Sequence, residues 1–210
     1  MNINYGKYFI LYSVFFIAIW GINSIKTFED GLDEYKNGNY YNSYAILSKI
    51  EIKENYQAQF LIGNMLEKGQ GVTQNYKEAL YYYKLAAEQN YANAQKNIGI
   101  FYEKGLGVDK DYIEAMKWYK LAAEQNDSNA QNNIGLLYEN GFGIEKDYNQ
   151  ALKYYKLAAA QNNSYAQKNI GIFYEKGLGV DINYDEALKW YRLAADNNNA
   201  NSQNNIGVMY

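Results

Sequence analysis

The sequence predicts an all-α protein: a right-handed α/α superhelical solenoid of about four and a half 36-residue helix-pair repeats, preceded by a helical capping pair and an N-terminal hydrophobic segment. The chain is self-similar at a fixed spacing of 36 residues, which is the mark of a repeat array. Each copy contains two stretches with helical spacing of apolar residues, and a Gly-x-Gly motif separates them. The copies span residues 58–93, 94–129, 130–165 and 166–201, with a partial copy at 202–210.

Residues 1–25 form a segment of their own. No charged residue occurs between Lys7 and Ile25, and the strongly apolar part, Phe9 to Ile22, is 14 residues long. This length suits a secretory signal peptide better than a membrane span, which needs about 20 residues. An uncleaved N-terminal membrane anchor is the alternative. Because the basic Lys7 precedes the segment and acidic residues follow it, we expect the repeats to be exported to a bacterial periplasm or cell surface, with or without an anchor in the inner membrane.

Residues 28–57 show helical spacing without the repeat signature. Phe28, Leu32 and Tyr35 suit one helix, and Tyr40 and Leu47 suit a second. The pair resembles a degenerate tetratricopeptide unit. Since a solenoid end has a neighbour on one side only, we expect this pair to be an N-terminal cap.

The repeat unit is clearest at residues 94–129. Ala94, Ile98 and Tyr102 fall on one side of a first helix. Gly105 and Gly107 then end that helix, because glycine relaxes the backbone where the chain must turn back. The motif therefore predicts a helix turn, and a phosphate-binding loop is disfavoured because no flanking strand or further motif residue is present.

The second helix has signals at both ends. Asp111 with Glu114 predicts a capping box, in which each side chain bonds a backbone N–H of the other residue. The other copies keep the pair as Asn75 with Glu78, Asp147 with Gln150 and Asn183 with Glu186. At the far end, asparagine tolerates the left-handed conformation that stops a helix. The predicted stop residues are Asn90, Asn126, Asn162 and Asn198.

The second helix is apolar on two sides. Its broad face is an aromatic and alanine stripe, which we interpret as core: Tyr112, Ala115, Trp118, Tyr119, Ala122 and Ala123. Trp190 and Tyr191 repeat the aromatic pair, and stacking of these rings on a ligand is the alternative to a place in the core. Leucine recurs on the opposite side, which predicts that the helix is sandwiched between its partner helix and the next repeat. These leucines are Leu85, Leu121, Leu157 and Leu193.

These residues resemble the Sel-1-like repeat, a relative of the tetratricopeptide repeat. The pattern A-Q-x-x-[IL]-G-x-x-Y-E-x-G-x-G-V, followed by D-Y-x-x-A-x-x-W-Y-x-x-A-A, extends from Ala58 to Tyr210. The first copy departs from it at Leu66 and Tyr82, and Asn replaces the usual Gly after the second helix. The structural signature is Gly99, Gly105, Gly107, Trp118, Tyr119, Gly135, Gly141, Gly143, Gly171, Gly177, Gly179 and Trp190.

Composition excludes several classes of site. Lys plus Arg is 20 and Asp plus Glu is 23, and no basic patch interleaves with aromatic residues, which argues against nucleic acid. The chain has no Cys and no His, so zinc sites built on these ligands, disulfides and histidine bases are excluded. We expect no cofactor and no metal. Glu103, Glu139 and Glu175 recur at the repeat spacing, which we interpret as a solvated ladder. A pair of acid and base carboxylates is the alternative.

The remaining candidate site is the outward side of the first helices. By resemblance to tetratricopeptide proteins these helices line the concave face, where asparagine amides can pair with the backbone of a bound segment and apolar side chains can take its side chains. The alternative is that asparagine there is family background. The candidate partner-binding residues are Asn97, Ile100, Lys104, Asn133, Leu136, Asn140, Asn169, Ile172 and Lys176.

Three functions remain open. The sequence favours an exported, non-catalytic scaffold that binds a protein or peptide on its concave face. A membrane-tethered regulator of an envelope or signalling complex is the alternative, with the membrane contacted only through residues 1–25. A β-lactamase-type hydrolase is least favoured, because no Ser-x-x-Lys motif is present. The oligomeric state is left open.

Overall fold

The computed structural model describes residues 26–50, 55–197, 199, 202, 205 and 206. Within these ranges the chain forms ten helices and no strand. The helices are α1 (Phe28–Lys36), α2 (Tyr40–Leu47), α3 (Tyr56–Lys68), α4 (Tyr76–Glu88), α5 (Ala92–Lys104), α6 (Tyr112–Glu124), α7 (Ser128–Asn140), α8 (Tyr148–Ala159), α9 (Ser164–Lys176) and α10 (Tyr184–Asp196). The predicted all-α fold class is confirmed.

The helices pack in sequence order. Each first helix (α3, α5, α7, α9) packs most extensively on the second helix of its own repeat (α4, α6, α8, α10), and each second helix packs on the first helix that follows. Contacts between neighbouring helices of this kind produce a solenoid rather than a single closed core. Residues 1–25 lie outside the described residues. None of the described helices has the length and apolar character that a membrane span requires.

The second helices begin at the predicted residues, but only half of the predicted capping box forms. The Asp111 carboxylate accepts a hydrogen bond from the Glu114 backbone N–H at 3.0 Å, and the same cap is present in the other repeats. The predicted reciprocal bond, from the backbone N–H of Asp111 to the Glu114 side chain, is wrong for these repeats. The Asp111 N–H donates instead to the Tyr102 carbonyl at 2.9 Å. The Glu114 carboxylate instead accepts from Lys117 at 2.7 Å and from the Trp118 indole N–H at 3.1 Å.

Two kinds of turn residue lie between the helices, asparagine between repeats and glycine within them. Asn90, Asn126 and Asn162 have φ angles of 60°, 64° and 61°, which confirms their predicted role as left-handed stops; Asn198 lies outside the described residues. Gly107 has a φ of 65°, and a Cβ there would lie 2.5 Å from the backbone nitrogen of Lys77. The turn inside one repeat therefore touches the start of the second helix in the preceding repeat, and only glycine allows this approach.

The core follows the predicted stripes. Ile98 and Phe101 of α5 are buried, as are Ala115, Tyr119 and Ala122 of α6. Trp118 and Trp190 are half-buried at the edge of this core. The buried tyrosine of each second helix lies directly on a glycine of the first helix. The pairs are Gly63 with Tyr83, Gly99 with Tyr119, Gly135 with Tyr155 and Gly171 with Tyr191.

The prediction that the leucines of the second helices are sandwiched is wrong. Leu121, Leu157 and Leu193 are 42%, 46% and 41% exposed, although Leu85 is half-buried. The partner helix and the following repeat both pack on the alanine and aromatic side of the second helix, so that its leucine side faces solvent. The second helices thus present a regular row of leucines on the outside of the protein.

The pair α1 and α2 packs against the first repeat. Within the pair, the hydroxyl of Ser43 donates to the Gly31 carbonyl at 2.7 Å, and Leu47 is buried. A Cβ on Gly71 would lie 2.4 Å from the backbone of Tyr40, so the turn of the first repeat touches the start of α2. The same turn-to-helix contact that joins the repeats therefore also joins this pair to them.

The contact between Gly99 and Tyr119 predicts a stability effect. A Cβ on Gly99 would lie 2.5 Å from the tyrosine ring, which the surrounding core holds in place. We expect Gly99→Leu to overpack the helix interface and to lower the free energy of unfolding by about 1–3 kcal/mol. Chemical denaturation measures this change. Ala160→Leu, at an exposed position, is the control; an equal effect of the two substitutions would contradict the close packing of Gly99 on Tyr119.

Candidate functional site

Six of the predicted site residues lie together on the solvent side of the first helices. Leu136 is 36% exposed, and Ile100 and Ile172 are partly exposed at the equivalent positions of α5 and α9. Lys104, Asn140 and Lys176 are the exposed last residues of the same three helices. We call the surface formed by these six residues the first-helix face.

The three predicted asparagines lie deeper, against tyrosine hydroxyls of the preceding repeat. Side-chain hydrogen bonds join Asn97 to Tyr83, Asn133 to Tyr119 and Asn169 to Tyr155. The Asn169 amide also donates to the Asn132 side chain at 3.1 Å, and Asn169 is only 7% exposed. The expectation that these three amides project into solvent is therefore wrong for Asn169. A role of the three asparagines in partner binding stays a prediction.

Each of these tyrosine hydroxyls also donates to a carboxylate of its own repeat. The Tyr83 hydroxyl lies 2.5 Å from Glu67 Oε2, and the Tyr119 hydroxyl lies 2.5 Å from Glu103 Oε2. The same bond joins Tyr155 to Glu139 and Tyr191 to Glu175. Because these glutamates are half-buried hydrogen-bond acceptors, the interpretation of Glu103, Glu139 and Glu175 as a solvated ladder is wrong.

The electrostatics keep these hydroxyls protonated. Burial raises the pKa of Tyr119 far above its usual value of 10, and the neighbouring Glu103 carboxylate raises it further. The hydrogen bond from Asn133 acts in the opposite direction but is the smallest contribution. A protonated hydroxyl donates to the glutamate while it accepts from the asparagine. Each tyrosine thus connects a glutamate of its own repeat to an asparagine of the next repeat, and we call this set a Tyr–Glu–Asn bridge.

Sequence reasoning missed these bridges, although a signal for them is present. The buried tyrosine follows its glutamate by 16 residues and precedes its asparagine by 14 residues in every described repeat. The members of these bridges are Glu67, Tyr83 and Asn97; Glu103, Tyr119 and Asn133; Glu139, Tyr155 and Asn169; and Glu175, Tyr191 and Asn205. Constant spacing of three polar or aromatic residues across helices indicates a recurring contact.

A second polar connection lies at the other end of the first helices. Gln95 is buried, and its side chain accepts from Gln125 of its own repeat at 2.7 Å and donates to Asn90 of the preceding repeat at 3.2 Å. The equivalent glutamines, Gln59, Gln131 and Gln167, accept in the same way from the ends of their second helices. Each first helix is therefore held near both ends by partly buried polar contacts.

The arrangement suits binding. The glutamates nearest the first-helix face are engaged by tyrosine hydroxyls, so they are not placed as a pair of acid and base groups. Among the described residues, no three acidic, histidine or cysteine side chains lie close enough together to hold a metal ion. What the surface offers is a row of apolar side chains with lysine or asparagine beside each one.

Comparison with known proteins identifies the repeat. The family model for the Sel1 repeat matches four stretches, residues 57–91, 92–127, 128–163 and 164–199. A Sel1 repeat protein from Oxalobacter formigenes is 38% identical, with a TM-score of 0.83; the alignment covers 88% of this chain and 75% of that one. A search of curated proteins finds no match.

Two further solved structures share the architecture. A protective antigen present in uropathogenic Escherichia coli strains, which displays an SLR fold, is 29% identical with a TM-score of 0.79. The alignment covers 87% of this chain but only 40% of the antigen. An immunity protein from Pseudomonas aeruginosa is 20% identical with a TM-score of 0.58, covering 82% of this chain and 67% of that one, and this likeness is one of fold alone.

Loss of one hydroxyl tests a Tyr–Glu–Asn bridge. Tyr119→Phe keeps the ring on Gly99 but leaves Glu103 and Asn133 without their shared partner. We expect the free energy of unfolding to fall by about 1–2 kcal/mol, since a hydrogen bond to a charged group is lost and water can replace part of it. Denaturant titration measures the change. Tyr165→Phe, at an exposed tyrosine, should change stability little; a similarly small effect at Tyr119 would argue against the bridge.

The raised tyrosine pKa values predict a loss of stability in alkali. Below pH 10 both the folded and unfolded chains keep these protons. Above about pH 10 the unfolded chain releases them while the folded chain retains them, so the free energy of unfolding falls by about 1.4 kcal/mol per pH unit for each buried tyrosine. Denaturation between pH 8 and pH 11 should show a shallower fall for Tyr119→Phe than for wild type. Identical pH profiles would contradict the assigned cause.

Proposed function

The chain belongs to the Sel1 repeat family, whose members typically mediate protein–protein interactions, and we propose that it is an exported, non-catalytic scaffold that binds a protein or peptide segment across the first-helix face. The proposal takes this face to be the concave one. The family is generally non-catalytic, and the coarse assignment to protein interaction follows from membership.

The observation that supports the proposal is the row formed by Ile100, Leu136 and Ile172. These apolar side chains occupy the same position in three successive first helices and are all at least partly exposed. An extended or helical segment lying along the row could place one apolar side chain against each. Lys104 and Lys176 flank the row and can bond the carbonyl or carboxylate groups of the same segment.

The support beneath the row is rigid. The Tyr–Glu–Asn bridges hold α5, α7 and α9 to the preceding repeat, and the buried glutamines hold the other end of these helices. A surface whose side chains are already fixed loses less conformational entropy when a partner binds. The polar contacts therefore serve binding indirectly, by keeping the spacing between successive apolar positions constant.

Export is proposed from residues 1–25, which lie outside the described residues. The segment combines a basic start with an apolar stretch of 14 residues. Expression in a bacterium, fractionation and N-terminal sequencing of the recovered chain test this directly. A mature N-terminus near residue 25 in the periplasmic fraction is expected. Recovery of the intact chain with the inner membrane would instead favour the membrane-tethered regulator, and recovery in the cytoplasm would refute export.

Catalysis of the β-lactamase type is the remaining alternative. Its Ser-x-x-Lys motif is missing from the sequence. Purified protein should therefore leave nitrocefin unhydrolysed, and hydrolysis abolished by substitution of a single serine would overturn the non-catalytic assignment.

Two leucines of similar exposure, one on a first helix and one on a second helix, allow a matched test of the binding face. Leu136 on the first-helix face and Leu157 on the outside of α8 are 36% and 46% exposed. Truncating an anchor residue of an interface commonly costs more than 1 kcal/mol of binding. We therefore expect Leu136→Ser to weaken capture of partners by the immobilised repeats about tenfold, and Leu157→Ser to leave capture of these partners unchanged.

Quantitative proteomics of the captured proteins measures this difference. Both variants should keep the circular dichroism spectrum of the wild type, because exposed substitutions usually cost less than about 0.5 kcal/mol. If Leu136→Ser captures the same proteins as wild type in the same amounts, the first-helix face is not the binding surface.

A further inference from the structure

The pair of helices that precedes the repeats holds a pocket that the proposed function does not use. It lies between α1 and α2 and has a volume of about 860 Å³. Among the residues that line it are Lys26 and Glu34 on the α1 side, and Ile46, Lys49 and Ile50 in or just after α2. None of the described lining residues belongs to the four repeats, so the pocket is separate from the first-helix face. We call it the cap pocket.

One carboxylate oxygen in the cap pocket has no partner. Glu34 is half-buried, and its Oε2 atom is buried without a hydrogen bond. The ion pairs among the described residues use Asp33, Glu114 and Glu186 but not Glu34. A buried charged oxygen without a donor is unfavourable, because folding has removed its water and put nothing in its place. A ligand that brings a cationic donor to this oxygen therefore gains a strong hydrogen bond.

The other sides of the cap pocket combine an apolar surface with two lysines. Ile46 packs on α1, where its Cγ2 atom lies 3.4 Å from the position of a Cβ built on Gly31. Ile50 packs against the buried core. Both isoleucines are half-buried, so part of each side chain is left for a ligand. Lys26 and Lys49 are exposed, and neither forms an ion pair with a described residue.

We propose that the cap pocket binds a short peptide with free termini. The terminal ammonium group of the peptide donates to Oε2 of Glu34, and its terminal carboxylate is held by Lys26 and Lys49. An apolar side chain of the peptide lies on Ile46 and Ile50. The volume lies toward the upper end of the range of about 300–1,000 Å³ for ligand pockets, which suits a peptide of a few residues better than a single amino acid.

The charges of the cap pocket favour a ligand that carries both signs. Glu34 is the one carboxylate among the described residues that line it. A purely acidic ligand would leave Glu34 unpaired, and a purely cationic ligand would lie close to Lys26 and Lys49. A peptide with free termini complements all three groups, and such complementarity contributes more to the selection of a ligand than to raw affinity.

Tripeptides that combine alanine with one leucine, isoleucine or phenylalanine test this proposal by calorimetric titration of the full-length chain. We expect saturable binding of at least one of these peptides. Acetylation of its amino terminus should weaken binding about tenfold or more, and amidation of its carboxyl terminus should also weaken it. Leu136→Ser on the first-helix face should bind the peptide like wild type, so this proposal and the proposed function can fail separately.

Two glutamates of α1 allow a matched pair of variants. Glu34→Gln keeps the shape of the side chain but removes its charge, and it should weaken binding of the free peptide about tenfold or more. Glu29→Gln, at an exposed position that does not line the pocket, should bind like wild type. Because Glu34→Gln removes an unpaired buried charge, we expect denaturant titration to show that this variant is at least as stable as wild type.

Four results would overturn the proposal. The full-length chain could bind none of the tripeptides, the acetylated peptide could bind as well as the free one, or Glu34→Gln could bind like wild type. The fourth is a loss of stability in Glu34→Gln, which would show that the carboxylate already has a cationic partner within the chain.

Discussion

The structure depends on one contact that every repeat makes: a fully buried tyrosine between the two helices of a repeat and the first helix of the next. In the second repeat the Tyr119 ring lies on Gly99, and its hydroxyl donates to Glu103 and accepts from Asn133. The glycine lets the helices approach, and the ring fills the space between them. The hydroxyl is a shared hydrogen-bond partner of the half-buried Glu103 carboxylate and the half-buried Asn133 amide. Because each repeat of a solenoid touches only its neighbours, a contact that includes the next repeat carries much of the coupling along the chain.

Because of this contact, the exposed surfaces of the first helices and of the second helices carry different side chains. On the first helices, the polar groups nearest the core are engaged by the bridges, so the side chains left for a partner are Ile100, Leu136 and Ile172 with their flanking lysines and asparagine. On the second helices, the aromatic and alanine side packs on the first helices of the same and the next repeat, which leaves a row of exposed leucines outside. One scaffold therefore presents two different faces, each repeated at the same spacing.

The fold could be predicted from local patterns, whereas the polar contacts could not. The positions of Gly105 and Asn90 follow from the backbone conformations that end a helix, and the structure confirms both. Helical periodicity correctly placed Tyr119 in the core. The same periodicity correctly placed Leu121 on the side of the helix opposite Tyr119. It could not show that no other helix covers that side, so the expected burial of Leu121 was wrong. Asn169 was expected in solvent because its contacts, with Tyr155 and Asn132, lie in the preceding repeat and are invisible to a local pattern.

A double-mutant cycle between Tyr119 and Asn133 tests the coupling most directly, because the two residues belong to different repeats. The free energy of unfolding would be measured for the wild type, Tyr119→Phe, Asn133→Ala and the double variant. If the tyrosine hydroxyl joins the repeats, the two single effects overlap, and we expect a coupling energy of about 0.5–1.5 kcal/mol. If the effects add to within about 0.3–0.5 kcal/mol, as they do for residues that do not interact, the hydroxyl does not join the repeats and the coupling along the solenoid has another origin.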